Sequence, residues 1–161
     1  MEKYIIFSSN HQTFALDISK IERIIEFQNP NPIPEASGYL LGVIQYNDRI
    51  LPIIDLTKRL YNIDSSHDGN DKVIVVLWKD QQIGLVVDDI MGINTIDEEQ
   101  FELSNEDTQI SKEYITGFIK TKGNITIVLD TDKLFSKDQE AELFTSTSTE
   151  AEEILEASQV D

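Results

Sequence analysis

The sequence predicts an all-β protein made of two small five-stranded β-barrels of the SH3 or OB kind. Short segments rich in Ile, Val, Leu, Phe and Tyr recur between polar turns, and very few segments show a helical pattern. The chain also repeats itself, because residues 4–27 align without a gap on residues 73–96, and residues 38–56 align on residues 113–131. A repeat of this size predicts two copies of one supersecondary unit that pack together.

The second copy of the repeat contains an insertion. The first aligned stretch is offset by 69 residues and the second by 75, so six extra residues precede the last hairpin of the second copy. The alignment pairs Tyr39 with Tyr114 and Gly42 with Gly117. Strand propensity does not require Tyr or Gly at these positions, which favours a true duplication.

Each element of the first copy follows from its residue pattern. Residues 3–9 are rich in Ile, Phe and Tyr, and residues 13–18 alternate apolar and polar side chains, which predicts a β-hairpin. Residues 22–27 are a third strand candidate. The prolines within residues 30–34 cannot donate ladder hydrogen bonds, so they predict an extended connection.

The central hairpin, residues 38–56, is the most apolar ordered segment. Its turn consists of Asn47 and Asp48, two residue types that tolerate the positive φ angles of a two-residue loop. Asp55 is predicted to cap a short helix over residues 56–61, which ends the first copy.

The repeat also predicts the domain organisation. The expected parts are one domain over residues 1–144, a first barrel over about 3–61, a second barrel over about 72–130, and short closing helices over 131–144. Residues 62–71 are a polar linker. Residues 145–161 are rich in Glu, Ser and Thr and have too little apolar surface to offset the entropy of ordering, so they predict a disordered acidic tail.

The composition argues against several function classes. With 13 Lys and Arg against 30 Asp and Glu, the formal net charge is -17 at pH 7, which repels phosphate backbones and anionic membrane surfaces. Nucleic acid is therefore not expected as a partner. The chain has no cysteine, hence no disulfide and no thiolate. No apolar run reaches the length of a signal-peptide core or a membrane span, so we expect a cytoplasmic protein without direct membrane insertion.

Few residues offer catalytic or metal chemistry. His11 lies in a predicted turn and His67 in the linker, and no Ser or Cys nucleophile pattern accompanies either, so we expect both to be exposed loop residues. The segment from Asp64 imitates the start of a calcium loop, but Val75 stands where a bidentate Glu is needed. The sequence predicts a protein that is not an enzyme and has no cofactor or metal site.

The two faces of the central hairpin differ between the copies. Strand alternation assigns one apolar face to the predicted core: Leu41, Val43, Ile50, Pro52 and Ile54. The opposite face carries Ile44, Tyr46, Leu51 and Ile53 in the first copy and Ile119, Thr121, Thr126 and Val128 in the second. An outer face that stays apolar in one copy only predicts a protein-binding surface. The alternative is that this face packs on the other barrel or under the tail.

The run GVIQYNDRILPIIDL at residues 42–56 resembles the central motif of the CheW coupling proteins of bacterial chemotaxis. Supporting stretches are FALDI at 14–18, IGLVVD at 83–88, and YITG at 114–117 followed by IVLD at 127–130. The resemblance covers about residues 3–144, in order and with the family's spacing.

The resemblance implies an adaptor that joins the cytoplasmic tips of chemoreceptors to the regulatory domain of the histidine kinase CheA. Kinase and adaptor would meet barrel to barrel, and the kinase-binding residues would be the apolar outer face: Ile44, Tyr46, Leu51 and Ile53. Receptor helices would dock between the barrels, at Ile21, Arg23, Ile25 and Asn47. The adaptor would be a cytoplasmic monomer when isolated and would be recruited to membrane receptor arrays.

Two positions depart from the family pattern. Many members have Arg-Gly where this chain has Asn47 and Asp48, and many have Glu where it has Arg23. These departures leave open a CheW-like adaptor of a non-flagellar kinase pathway. The competing class is a ligand- or oligonucleotide-binding barrel, because small barrels often serve that purpose.

Overall fold

The computed structural model describes residues 2–34, 36–64, 67, 70–78, 81–102, 112–121, 123–135 and 139. The strands are β1 (Glu2–Ser9), β2 (Gln12–Asp17), β3 (Ile21–Glu26), β4 (Leu40–Tyr46), β5 (Arg49–Asp55), β6 (Lys72–Trp78), β7 (Gln81–Val87), β8 (Asp89–Ile96), β9 (Phe101–Glu102), β10 (Ile115–Thr121) and β11 (Asn124–Leu129). An α-helix, α1, spans Leu56–Tyr61, and short 3-10 helices span Ile18–Lys20, Glu98–Gln100, Lys112–Tyr114 and Thr131–Lys133. The predicted all-β class is confirmed.

The strands form two sheets. The six-stranded sheet has the order β8-β1-β2-β11-β10-β9, and the five-stranded sheet has the order β3-β6-β7-β5-β4. Neighbouring strands are antiparallel except for two parallel pairs, β2 with β11 and β5 with β7. The two orders match by repeat position, and the extra strand β9 lies in the segment that holds the insertion.

The sheets do not follow the two copies. β1 and β2 of the first copy pair with β8 and β11 of the second, whereas β3 and β5 of the first pair with β6 and β7 of the second. The predicted barrel ranges, 3–61 and 72–130, are therefore wrong, because each sheet combines the first hairpin of one copy with later strands of the other. A repeat identifies equivalent strands, but it carries no information about which copy supplies the pairing partner.

Three apolar clusters stabilise the sheets. The central core takes side chains from both sheets, including Phe7 and Phe14 of one and Ile74 and Leu85 of the other. The inner core of the five-stranded sheet contains Ile44, Tyr46, Leu51, Ile53, Val73, Val75 and Val86. The inner core of the six-stranded sheet contains Tyr4, Ile6, Ala15, Ile96, Ile119 and Val128. Each inner core draws on every strand of its sheet once partly buried neighbours are included, so each sheet curls around its own cluster.

The tight turns confirm the expectation for the central hairpin. Asn47 and Asp48 have φ angles of 47° and 62°, as a two-residue loop requires. Asn10 and His11 form the matching turn of the first hairpin, with φ angles of 51° and 63°. Both turns place residue types that tolerate the left-handed region at the two central positions.

The proline-rich connection is extended, as predicted, and it crosses the edge of β4. Asn31 exchanges two backbone hydrogen bonds of 2.9 Å with Val43. The crossing is close, because a Cβ added to Gly42 would lie 2.1 Å from the Asn31 carbonyl oxygen. Gly42 has a φ of 146° and marks a bulge in β4, which explains why glycine stands here.

Asp55 caps α1 as predicted, since its side chain accepts a 3.1 Å hydrogen bond from the Lys58 amide. Asp130 caps the 3-10 helix at the equivalent place in the second copy, by accepting from the Asp132 amide at 3.0 Å. The predicted closing helices are represented by the 3-10 helix Thr131–Lys133. The acidic tail, residues 145–161, lies outside the described residues.

Arg59 of α1 joins the ends of the two copies. Its guanidinium carbon lies 5.2 Å from the ring centre of Tyr39, 4.9 Å from that of Tyr114 and 5.2 Å from that of Phe135. Its Nε donates a 2.6 Å hydrogen bond to the Leu134 carbonyl oxygen. Because Tyr39 and Tyr114 are equivalent in the repeat, this one cation bridges matching positions of both copies.

Candidate partner-binding site

The structure buries the four residues that the sequence assigned to a kinase-binding face. Ile44, Tyr46, Leu51 and Ile53 are between 1% and 8% exposed. All four belong to the inner core of the five-stranded sheet, where they pack with valines of β6 and β7. The prediction that they form an outer apolar surface is therefore wrong.

The error has a physical cause in the central hairpin, which is buried on both faces. Val43 and Ile54 belong to the central core, whereas Ile44 belongs to the inner core. Alternation separates two faces of a strand, but it cannot say which one meets solvent when neither does. The bulge at Gly42 also moves Leu41 from the predicted core face to the inner core.

Of the two threonines of the second copy, Thr126 fits the same explanation, whereas Thr121 is exposed. Thr126, the equivalent of Leu51, is buried and lies opposite Ile119. On its other side Ile119 pairs with Phe101 of β9, whose ring packs on the inner core of the six-stranded sheet. The segment that holds the insertion therefore supplies apolar volume beside Ile119, near the smaller Thr126.

The predicted receptor-binding residues do not form one apolar strip. Ile21 packs against the central core and Ile25 against the inner core of the five-stranded sheet, so they lie on opposite faces of β3. A bulge between Ile21 and Arg23 causes this change of face. Arg23 and Asn47 are both exposed.

A carboxylate that sequence reasoning missed links β3 to the end of β4. The Tyr46 hydroxyl donates to Glu22 Oε2 at 3.3 Å, and Gln82 Nε2 donates to the same oxygen at 2.7 Å. Burial, followed by the charge of Glu22, raises the pKa of Tyr46, and the charge of Arg23 opposes this shift. β3 and β4 are the two terminal strands of the five-stranded sheet, and this hydrogen bond places Arg23 and Asn47 near the point where they meet.

The most exposed large apolar side chains of the described strands lie on β8. Met91 is 61% exposed and Ile93 is 58% exposed. The repeat aligns Met91 with Glu22, so the second copy has an exposed thioether where the first copy has the carboxylate bonded to Tyr46. The sequence contained one signal for this exposed pair, namely that an apolar Met91 replaces the charged Glu22 at equivalent positions of the repeat.

The strand β8 borders the central core. Ile93 lies opposite Ile5 on β1, and Ile5 belongs to that core. In the other sheet, Ile21 and Ile24 of β3 are partly buried and pack on the same core. The 3-10 helix Ile18–Lys20, which precedes β3, contacts β1. We call Ile21 and Ile24 of β3 and Ile90 and Ile93 of β8 the inter-sheet border, because three of them pack on the central core and Ile93 lies opposite Ile5, a member of that core.

Other reactive side chains offer no catalytic arrangement. Within the described ranges, no group of three or more His, Asp or Glu residues could hold a metal ion. His11 is exposed, as expected. The expectation is wrong for His67, whose side chain is 8% exposed because both ring nitrogens bond to carboxylates. No described helix has the length and apolar character needed to cross a membrane.

A family model described as the CheW-like domain matches residues 3–139. The chain belongs to the CheW family. It is 33% identical over 131 residues to the chemotaxis protein CheW of Thermotoga maritima, covering 81% of this chain and 85% of that protein. It is 27% identical to the chemotaxis protein CheW of Bacillus subtilis over 141 residues, covering 85% and 88%. The crystal structure of the scaffolding protein CheW from Thermoanaerobacter tengcongensis superposes with a TM-score of 0.78 at 27% identity, covering 86% and 90%.

Membership in the CheW family confirms the resemblance inferred from residues 42–56. Proteins of this family are scaffolds and adaptors of chemotaxis and are not enzymes, so the prediction of a non-enzymatic protein is also confirmed. The solved CheW structure has the same fold, which confirms the predicted fold class.

Proposed function

We propose that this CheW-family chain is an adaptor that couples chemoreceptors to the histidine kinase CheA, and that it acts in the cytoplasm at membrane receptor arrays. Its relatives are named as chemotaxis proteins, and the solved relative is named as a scaffolding protein. Within this chain, the proposal rests on the exposed apolar pair Met91 and Ile93 on an edge strand. Two large apolar side chains exposed on one strand of a highly charged protein favour a protein partner.

The inter-sheet border suits one face of a receptor helix. The border is apolar, and exposed polar residues flank it: Arg23 on β3, and Asn94 and Thr95 on β8. A helix that lays its apolar side chains along the border would cover Met91 and Ile93. Both side chains are more than half exposed, so covering them would contribute roughly 2–4 kcal/mol before the cost of ordering.

In this proposal the receptor site contains Ile21, Arg23 and Asn47 together with β8. Ile25 is outside it, because that side chain packs on the inner core. Arg23 and Asn47 would act on receptor choice rather than on affinity, since exposed charges contribute little energy but penalise a partner of the wrong charge.

The ligand- or oligonucleotide-binding barrel has less support. Such a barrel needs an interior or a sheet face that receives the ligand, but the inner cores are filled by side chains such as Leu51 and Val75. The net charge of -17 also opposes binding to nucleic acid.

The test is receptor-dependent activation of CheA, reconstituted with receptor-containing membranes and this chain. Ile93→Glu places a charge on the border, and we expect at least a tenfold loss of coupling with an unchanged urea unfolding midpoint. Ile63→Glu is the matched control, because Ile63 is an exposed isoleucine of the linker, and it should couple as the parent does.

Two outcomes would contradict different parts of the proposal. A parent chain that activates CheA with no receptor would refute the coupling function. A parent that couples, with an Ile93→Glu variant that couples equally well, would refute the assignment of the receptor site to β8.

A further inference from the structure

We propose that His67 is a proton-dependent latch that joins Asp55, at the end of β5, to Asp71, which precedes β6. His67 Nε2 lies 2.8 Å from Asp55 Oδ2, and His67 Nδ1 lies 3.1 Å from Asp71 Oδ2. The side chain of His67 is 8% exposed, that of Asp55 is 5% exposed and that of Asp71 is 15% exposed. The ring therefore lies between two carboxylates with little access to water.

With both carboxylates ionised, the geometry favours the imidazolium form of the ring. A neutral imidazole has one N–H donor and one acceptor nitrogen, whereas an ionised carboxylate only accepts. Both hydrogen bonds of His67 can therefore form together only when both nitrogens carry protons. Loss of one proton would turn a nitrogen lone pair toward a carboxylate oxygen and would leave two poorly solvated anions without a cation between them.

The latch holds three parts of the fold together. Asp55 ends β5, and its other oxygen accepts the hydrogen bond from the Lys58 amide that caps α1. The Asp71 carbonyl oxygen accepts a 3.1 Å hydrogen bond from the Phe27 amide, which follows β3. The Phe27 ring also lies 5.5 Å from the His67 ring and packs on the inner core of the five-stranded sheet. Proton loss at His67 would thus loosen its contacts with Asp55 and Asp71 and weaken the hydrogen bonds of the Lys58 and Phe27 amides.

Two carboxylates and two lysines lie on the elements around His67. The ring itself faces the carboxylates of Asp55 and Asp71. On α1, Lys58 Nζ pairs with the exposed Asp64 of the linker at 3.0 Å. On β6, Lys72 Nζ lies 3.9 Å from Glu26 of β3. Both lysines are engaged with other carboxylates, so among the residues that the structure describes the imidazolium is the cation that bridges Asp55 and Asp71.

The direction of the pH effect follows from the same contacts. The hydrogen bond to Asp55, together with the charges of Asp55 and Asp71, raises the pKa of His67 above its ordinary value of 6.5, although burial opposes the shift. A raised pKa in the folded state means that the stabilisation by the latch is complete below pH 6.5. It is lost as the pH rises through the folded pKa, so the latch opens on the alkaline side of 6.5.

The test uses the full chain in a His11→Asn background, which leaves His67 as the only histidine. NMR gives the titration midpoint of the ring, and hydrogen exchange reports the Lys58 and Phe27 amides. His67→Gln is the matched control, because glutamine keeps hydrogen-bonding groups but does not titrate in this range. We expect a midpoint above 6.5. We expect amide protection, relative to the control, to fall about tenfold for each unit by which the midpoint exceeds 6.5.

An additional variant keeps the proposal testable if His67→Gln does not fold. Asp71→Asn retains the shape of the side chain but removes one charge, so it should lower the ring midpoint. A parent midpoint at or below 6.5 would overturn the proposal, as would a midpoint unchanged by Asp71→Asn. A protection ratio that stays constant across the titration would also overturn it.

Discussion

Replacing Leu51 with alanine distinguishes a core residue from a binding residue at the position where sequence and structure disagree most. Leu51 is 1% exposed and packs within the inner core of the five-stranded sheet. Truncation of a buried leucine costs about 2–5 kcal/mol, because the transfer energy of the lost carbons adds to that of the cavity. For a chain of 161 residues, each 1 kcal/mol lowers Tm by about 2–4 °C, so the loss should be roughly 4–20 °C.

Urea unfolding measures this loss directly. The chain has a single tryptophan, Trp78, which is fully buried and so offers an intrinsic fluorescence signal for unfolding. The free energy of unfolding in water follows from linear extrapolation. Leu77→Ala is the control on the same sheet: Leu77 is exposed, and its truncation should cost about 1 kcal/mol or less.

Leu51→Ala can also show that Leu51 lies on the surface. If Leu51→Ala unfolds at the same urea concentration as the parent while kinase coupling per folded molecule falls, Leu51 is a surface residue. The inner core would then be misassigned, and the apolar face read from strand alternation would be restored as the kinase-binding candidate.

Two further predictions concern the junction of the copies and the receptor site. Arg59→Lys should lower the free energy of unfolding by about 1–2 kcal/mol, because lysine cannot stack on three rings and bond the Leu134 carbonyl oxygen with a planar group. Arg49→Lys, at the exposed start of β5, is the control, and equal losses in urea unfolding would count against this role. Arg23→Glu combined with Asn47→Arg should change the unfolding free energy by at most about 1 kcal/mol but alter which receptors activate CheA. Coupling that is unchanged with both the native receptor and one from a standard chemotaxis system would exclude a role for these positions.

Several features of the fold could be predicted because they depend on neighbouring residues. Asn47 and Asp48 make a tight turn whose φ angles are a local property, and Asp55 caps the helix that begins at the next residue. The bulge at Gly42 was not predicted, because it accommodates Asn31, which reaches β4 only in the folded chain.

The candidate site was harder to predict. The exposed pair Met91 and Ile93 lies in a segment with the same apolar composition as the buried strands, so composition alone does not distinguish it. His67 lies in a polar segment, and its burial depends on Asp55, which is twelve positions away. Neither burial nor exposure at these sites follows from the pattern around the residue.

The amino-acid sequence by itself determined the strand-rich class, the duplication and the family, and with the family the non-enzymatic class of the protein. Strand propensity, turn residues and a repeated pattern are properties of the chain read in order. Only the tertiary structure decided that β1 pairs with β8 and that β3 pairs with β6, so that the copies share their sheets. It also decided that Leu51 is core and that Ile93 is surface. The physical reason is that pairing and burial depend on which distant strands approach each other, and strands that are apolar on both faces do not encode that choice locally.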